Sequence, residues 1–348
     1  MNQRVLKFRG THREIGEQIG LLYKKWGHTY SYMPPFADRY YSQQLKIYEK
    51  FYPQHLDFLT GLAKGLRIGK DKMFKISLTI FLAPVYAIVD RRCSAFAVNS
   101  SYGIFIGRNY DWLESSELHA KFLQYDYTDK SFFSIKGISD MGTWEFGKLV
   151  GPEEFILITE DAWNDNLYIG LNGAPGKKKD IGICTPHVVQ LIAEQCKKVD
   201  EALSILEKIP TPNSQIYTLA DKWGNLAVVE KSLDGGTKVR RSTKFIIATN
   251  HFNHKDLVSL NATMFEKVPF HSSFARYHYL ESNLMSKWKE LKLETINSLM
   301  KVPPVVQNWR GIKNGDVITI WQLALNLKKG ESNIVFAPLT RQKNVITN

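Results

Sequence analysis

The sequence predicts an α/β protein in which a helical N-terminal segment leads into a strand-rich body, and three observations carry that prediction. Apolar residues in the first 92 positions recur at helical spacing. From Cys93 onward the spacing shortens to that of strands. Two helical blocks then interrupt the strands, so the body has to be layered, with helices laid on sheet.

The elements follow in order. Thr11 reads as a helix N-cap with Glu14 at capping-box spacing, and Ile15, Ile19, Leu22 and Trp26 form the stripe behind it. Leu45, Tyr48 and Phe51, then Leu56, Leu59 and Leu62 after Pro53, mark a second helical region. A third apolar stretch runs from Phe74 to Val89 and is broken at Pro84. Residues 93–98 and 103–108 read as paired strands around the turn-like Asn99-Ser100-Ser101-Tyr102. Further strands are expected at 121–126, 131–136, 155–159, 167–171, 215–219, 226–230, 244–249, 317–325 and 333–336. Thr185-Pro186 opens a helical region that restarts at Asp200 and runs to Leu206, and another extends from Ser273 to Leu299. No Gly/Ser linker separates residues 1–92 from 93–348, so the two parts are expected to pack together.

Composition narrows the function. No apolar run approaches the roughly 18 residues of a membrane span. The start, Met1 to Lys7, lacks the apolar stretch of a signal peptide, which favours a cytoplasmic location. Cys93, Cys184 and Cys196 are odd in number and scattered, which suits a reducing compartment. Residues 1–92 carry 16 Lys/Arg against 7 Asp/Glu, whereas 93–348 carry 30 against 27, so most of the net +12 sits in the first segment. Those charges alternate with apolar helical positions, and no nucleic-acid-binding motif accompanies them, so no nucleic-acid partner is expected. Cys184, His187 and Cys196 lack the second close ligand pair that zinc requires, and neither a metal nor a cofactor is expected. Trp112, Trp163, Phe252 and Tyr277 are candidates for an apolar acyl pocket. Asn261-Ala262-Thr263 fits a glycosylation acceptor but has no secretory context.

The cysteine hairpin is the chemical centre of the sequence. If it turns around Ser101, antiparallel pairing sets Cys93 across from Arg108 and Asn109, with Asp111 just beyond. Facing Cβ atoms on such a ribbon are only about 4.5–5.5 Å apart. A neighbouring guanidinium favours the nucleophilic thiolate. From the hairpin alone two readings stand equally: an activated thiol, or a small buried cysteine beside a surface ion pair.

Cys93-Ser94-Ala95-Phe96 followed by Gly107-Arg108-Asn109-Tyr110-Asp111-Trp112 resembles the start of the mature chain in penicillin acyltransferase-like enzymes. These are linear-amide C–N hydrolases related to choloylglycine (bile salt) hydrolase and penicillin V acylase. Arg9-Gly10-Thr11 with Glu14-Ile15-Gly16 resembles the family's propeptide opening. Tyr168 to Gly173, Asp221 to Glu230, Thr249-Asn250-His251-Phe252, Ser272-Ser273 with Arg276, and Ile318 to Gln322 resemble later segments in the same order.

The resemblance implies a four-layer αββα Ntn-hydrolase sandwich, with residues 1–92 as a helical propeptide and 93–348 as the catalytic body. It implies a zymogen that cuts itself before Cys93, whose freed α-amine then serves as base for its own thiol. An α-amine titrates near pH 8, which suits that task. It further implies that Arg108 supports the thiolate, Asp111 orients the new ammonium, Asn250 donates to the oxyanion, Asn172 lines the same region, and Arg276 anchors the polar network. Asn172, between Gly170 and Gly173, also reads as a turn residue, and Arg276 as half of a helix-surface ion pair. The implied reaction is hydrolysis of a linear amide through a thioester. Transfer of the acyl group to an amine is one alternative, and an unprocessed binding or scaffold protein is another. The partner is then a small-molecule amide; homo-oligomerisation is left open. Two arginines converging on the thiol further predict a cationic site that favours a carboxylate-bearing N-acyl substrate.

Overall fold

A computed structural model describes residues 4–27, 33–34, 36–79, 82, 93–139, 160–176, 178–263, 273–310, 316–337, 339 and 345–347. Two sheets stack face to face. The first has the order β1 (Val5–Gly10), β4 (Lys121–Tyr127), β5 (Ile135–Ser139), β6 (Asp161–Trp163), β7 (Leu167–Gly173), β8 (Gln215–Asp221), β9 (Leu226–Ser232) and β10 (Gly236–Ser242). The second has β11 (Phe245–Ala248), β2 (Ser94–Ser100), β3 (Gly103–Leu113), β13 (Val317–Asn326), β14 (Glu331–Phe336) and β15 (Val345–Thr347), with the short β12 (Asn308–Trp309) on β13.

Side-chain alternation along each strand sorts the core into three slabs. On β8, Tyr217 and Leu219 join the slab under the first sheet's helices, while Ile216 and Ala220 face the second sheet. On β2, Cys93 (just before the strand) and Ala97 face the first sheet, while Phe96 and Val98 face the helices beyond. Outside the first sheet lie α1 (His12–Lys25), α2 (Ala37–Phe51), α3 (Pro53–Leu66), α4 (Lys70–Thr79), α5 (Thr185–Gln195) and α6 (Val199–Lys208). Outside the second lie α7 (Ser273–Lys287) and α8 (Leu293–Met300). The order of layers is αββα.

The N-terminal segment is wholly helical in the sequence reading, and here the structure differs. Val5–Gly10 forms β1, which lies parallel to β4 with Val5 opposite Phe122. Its alternation of Leu6 and Phe8 inward with Lys7 and Arg9 outward is strand patterning, too short to stand out beside the helix that follows. Thr11 does cap α1, accepting from Glu14 N while Glu14 returns a carboxylate to Thr11 N. Pro53 starts α3 at its first turn, where its missing N–H costs nothing. The strand expected at 131–136 begins at Ile135, that at 155–159 and the part of the 74–89 helical stretch beyond α4 lie, Leu82 apart, outside the described residues, and β6, β10, β12 and β15 are additional.

Helices α1 and α3 meet backbone to backbone through Gly16 and Gly20 on one and Gly61 and Gly65 on the other. A Cβ at Gly61 would sit 1.8 Å from Arg13 O, and one at Gly16 2.0 Å from Phe58 O. Gly61→Ala is therefore expected to cost about 1–3 kcal/mol by overpacking, against the roughly 1 kcal/mol that alanine gains in helix propensity. Denaturant titration checks this, and a stabilised variant contradicts the close approach.

A buried polar cluster ties the same segment to the body. Glu194 on α5 accepts from Tyr52 Oη at 2.8 Å, from Gln190 Nε2 at 2.7 Å and from Tyr127 Oη, and His12 Nε2 lies 3.1 Å away. His187 contacts Tyr48 Oη through Nδ1 at 2.7 Å and packs its ring on His55. Cys184, His187 and Cys196 are all buried. Asn261 uses its side-chain amide on both backbone groups of Phe252, which leaves it unsuited to carry a glycan.

Candidate active site

Cys93 immediately precedes β2 and is buried between the two sheets. Arg92, the other side of the bond at which processing is expected, lies outside the described residues. The hairpin turns about the Ser101–Tyr102 bond, so Ser94 faces Asn109 and Ala95 faces Arg108. Continued by one step, this register brings Tyr110 opposite Cys93, a correction to the expected pairing with Arg108 and Asn109. The cause is a tight two-residue turn closed by Gly103 at φ +152°, a backbone setting that favours glycine. The shift keeps Arg108 on the face of Cys93, diagonally across, within reach of a long side chain. Asn109 points to the opposite face, where its amide donates to Met300 O and Val305 O.

Arg108 is wholly buried, and each of its three side-chain nitrogens has an acceptor. Its Nε pairs with Asp161 at 3.0 Å, Nη1 donates to Asn172 Oδ1 at 2.8 Å, and Nη2 to Leu171 O at 2.5 Å. Tyr168 Oη donates to the same Asp161 at 2.8 Å, and Trp321, stacked on Tyr110 at 3.9 Å between centroids, approaches it through Nε1 at 3.4 Å. Burial opposes the guanidinium's charge, but Asp161, then Cys93 and Tyr168, outweigh it and hold Arg108 above its ordinary value. The electrostatic influence of Cys93 works both ways: the cation that a thiolate would stabilise also favours that thiolate. Asp161 offsets the charge of one of the two arginines expected to make the site cationic, Arg108, from inside the protein.

Asn172 is no turn residue. It lies in β7, buried, with Nδ2 donating to Thr249 O at 3.1 Å and to Cys93 O and Ala248 O at 3.3 Å. Arg276 is no surface ion-pair residue either. It is 1% exposed, and its Nη1 donates to Cys93 O and to Ser94 Oγ at 3.0 Å. Its Nη2 donates to Asn250 Oδ1 at 2.9 Å, while Asn250 Nδ2 donates to Gly173 O at 3.0 Å. Cys93, Arg108, Asn172, Asn250 and Arg276 are thus one connected group, drawn from β3, β7, the turn after β11 and α7. Asp111 is buried one position past Tyr110 and accepts from Thr319 Oγ1 at 2.6 Å, beside a bulge in β13.

Of the aromatics expected around an acyl pocket, Trp112, Trp163 and Phe252 belong to the intersheet core. Tyr277 packs instead against the core under the helices outside the second sheet, with its ring edge-on to that of His251 at 5.5 Å between centroids. The sequence reading missed Asp161, Tyr168, Thr319, Thr249, His251 and Ser273 as members of the polar network. No local signal marks Asp161: it opens the three-residue β6, and its partner Arg108 lies 53 positions earlier in the chain.

No curated protein sequence is significantly similar to the chain. Solved structures share its fold at low identity. A variant of the conjugated bile acid hydrolase from Clostridium perfringens superposes with a TM-score of 0.54 at 12% identity, covering 74% of this chain and 92% of its own. Penicillin V acylase from Agrobacterium tumefaciens gives 0.50 at 16% identity, covering 70% and 83%. Their likeness shows that the αββα sandwich is a fold this chain shares with those two enzymes. The sequence profile of the acyl-coenzyme A:6-aminopenicillanic acid acyl-transferase family matches residues 98–338, starting just beyond Cys93. By that match the chain belongs to the acyl-coenzyme A:6-aminopenicillanic acid acyl-transferase family.

Proposed function

We propose that this chain is a cysteine amidohydrolase that removes residues 1–92 from covalent linkage by self-cleavage before Cys93 and then uses Cys93 on linear, non-peptide amides. The observation that carries this reading is the convergence of Arg276 and Asn172 on the carbonyl of Cys93, with Asn250 held between Arg276 and Gly173.

After cleavage the α-amine of Cys93 takes the thiol proton as sulfur attacks the amide carbon. Arg108 supports the sulfur anion, and Asp111 holds the resulting ammonium. Charge gathers on the substrate oxygen. An amide nitrogen carries two hydrogens, so Asn250 Nδ2 keeps one bond to Gly173 O and turns the other on that oxygen. The tetrahedral intermediate collapses as the C–N bond breaks, and the α-ammonium returns its proton to the departing amine. A thioester remains. Water, activated by the same amine, releases the acid; an amine in place of water gives transfer, the alternative that the family name favours.

Intact mass under denaturing conditions tests the processing step. The parent is expected as two chains and Cys93→Ala as one, a control that also excludes a contaminating protease acting at Arg91-Arg92. A fully incubated parent that remains a single chain overturns the proposal. Hydroxylamine added to active enzyme diverts product to the hydroxamate if a thioester forms.

A further inference from the structure

The residues on either side of Asn250 form a closed polar cluster that the reaction does not use. Asn250 N donates to Ser273 Oγ at 2.6 Å. The same Oγ lies 2.8 Å from Thr249 Oγ1 and 2.7 Å from His251 Nδ1, and Thr249 Oγ1 is 3.1 Å from that nitrogen. On the far side of the ring, His251 Nε2 is 3.2 Å from Asn253 Oδ1. Ser273 is the first residue of α7, and Arg276, one turn on, holds the Asn250 side chain. Asn250 is therefore gripped twice from one helix, through its backbone by Ser273 and through its side chain by Arg276.

Proton bookkeeping fixes the direction of this cluster. His251 is buried, and its pKa is pushed down to about 4 by burial and then by the charge of Arg276, so the ring is neutral near pH 7. A neutral imidazole has one donor and one acceptor. The Nε2 hydrogen goes to Asn253 Oδ1, an acceptor, which leaves Nδ1 to accept a hydroxyl hydrogen from Ser273 or Thr249. With its own hydrogen drawn toward Nδ1 or Thr249, Ser273 turns a lone pair to Asn250 N–H.

We infer that His251 is a positioning residue for the oxyanion contact: acting through Ser273 and Thr249, it locks Asn250 at the height where its amide meets the developing charge. This deepens the proposed function and rests on it. The ring does not exchange protons with substrate.

The test uses processed enzyme and acyl p-nitroanilides (phenoxyacetyl and decanoyl). Turnover by the parent addresses the proposed function; ratios among variants of an active parent address this inference. His251→Leu is expected to lower kcat by about 10- to 100-fold, as small displacements of catalytic groups do, with KM little changed. His251→Asn, which keeps an acceptor near the Nδ1 position, recovers much of the loss. In an Asn250→Ala background the His251→Leu change has no further effect on kcat, because a residue acting through another is non-additive with it. The pH limbs of kcat stay in place throughout. If His251→Leu does not fold, Ser273→Ala removes the same grip on Asn250 N and reads the same quantity. Unchanged kcat in either variant, additive losses in the double mutant, or a displaced pH limb overturns the inference.

Discussion

Replacing Asn250 by alanine is expected to lower kcat by about 10²–10³-fold, the usual cost of losing one oxyanion donor. The loss should fall on kcat with KM nearly unchanged, since the contact matures only as the carbonyl oxygen gains charge. The geometry makes this residue sensitive: Arg276 holds its Oδ1 at 2.9 Å and Gly173 O holds its Nδ2 at 3.0 Å, so the amide plane is fixed before substrate arrives. Asn250→Asp keeps the shape but removes the donor, and it should be at least as inactive. Steady-state kinetics on processed enzyme decide the matter, and activity equal to the parent's in Asn250→Ala removes this residue from the reaction.

The second large effect concerns folding. Asp161→Ala strips the only carboxylate from Arg108 among the described residues, where both side chains are fully buried. Breaking a buried pair from one side costs about 3–5 kcal/mol, because the remaining charge is stranded away from water. Asn172 Oδ1 and Leu171 O still accept from the guanidinium, but neither carries a formal charge. Denaturant titration in a Cys93→Ala background, where no processing is expected, measures the loss directly. The double variant Arg108→Met/Asp161→Leu should recover most of it, since removing both charges also removes the desolvation penalty. A loss below about 1 kcal/mol for Asp161→Ala would mean that Arg108 is held by its neutral acceptors.

The strands that were legible in the sequence are those with both faces buried and ends marked by turns. Residues 167–171, 215–219 and 226–230 are such runs, and they appear as β7, β8 and β9 with only their C-terminal ends extended. β10 stayed hidden because it is a half-exposed edge whose Lys238, Arg240 and Arg241 carry no apolar alternation. β1 stayed hidden because its alternation spans too few residues beside the helix that follows, and its parallel partner is more than a hundred residues away. The hairpin was legible to within one residue. Its register depended on which bond the turn straddles, and Asn99-Ser100-Ser101-Tyr102 does not specify that bond. In the site, Cys93, Arg108, Asn172, Asn250 and Arg276 were nameable from motif order, and their mutual contacts come from the fold. Asp161 was not nameable, because its role exists only where β6 passes beside β3 in the stacked sheets.

The placement of β1 has a consequence for a cleaved chain. A segment that contributes an edge strand to the first sheet, a glycine-paired helix and two partners of Glu194 cannot be shed without dismantling the core it shares. Cutting before Cys93 would leave the native assembly in place while turning its formation into a meeting of two molecules. Unfolding then gains the translational entropy of a separated fragment, and recovery depends on the concentrations of both pieces. Maturation in this architecture would act as a kinetic ratchet: the intact chain folds by itself, and the mature protein persists by remaining folded.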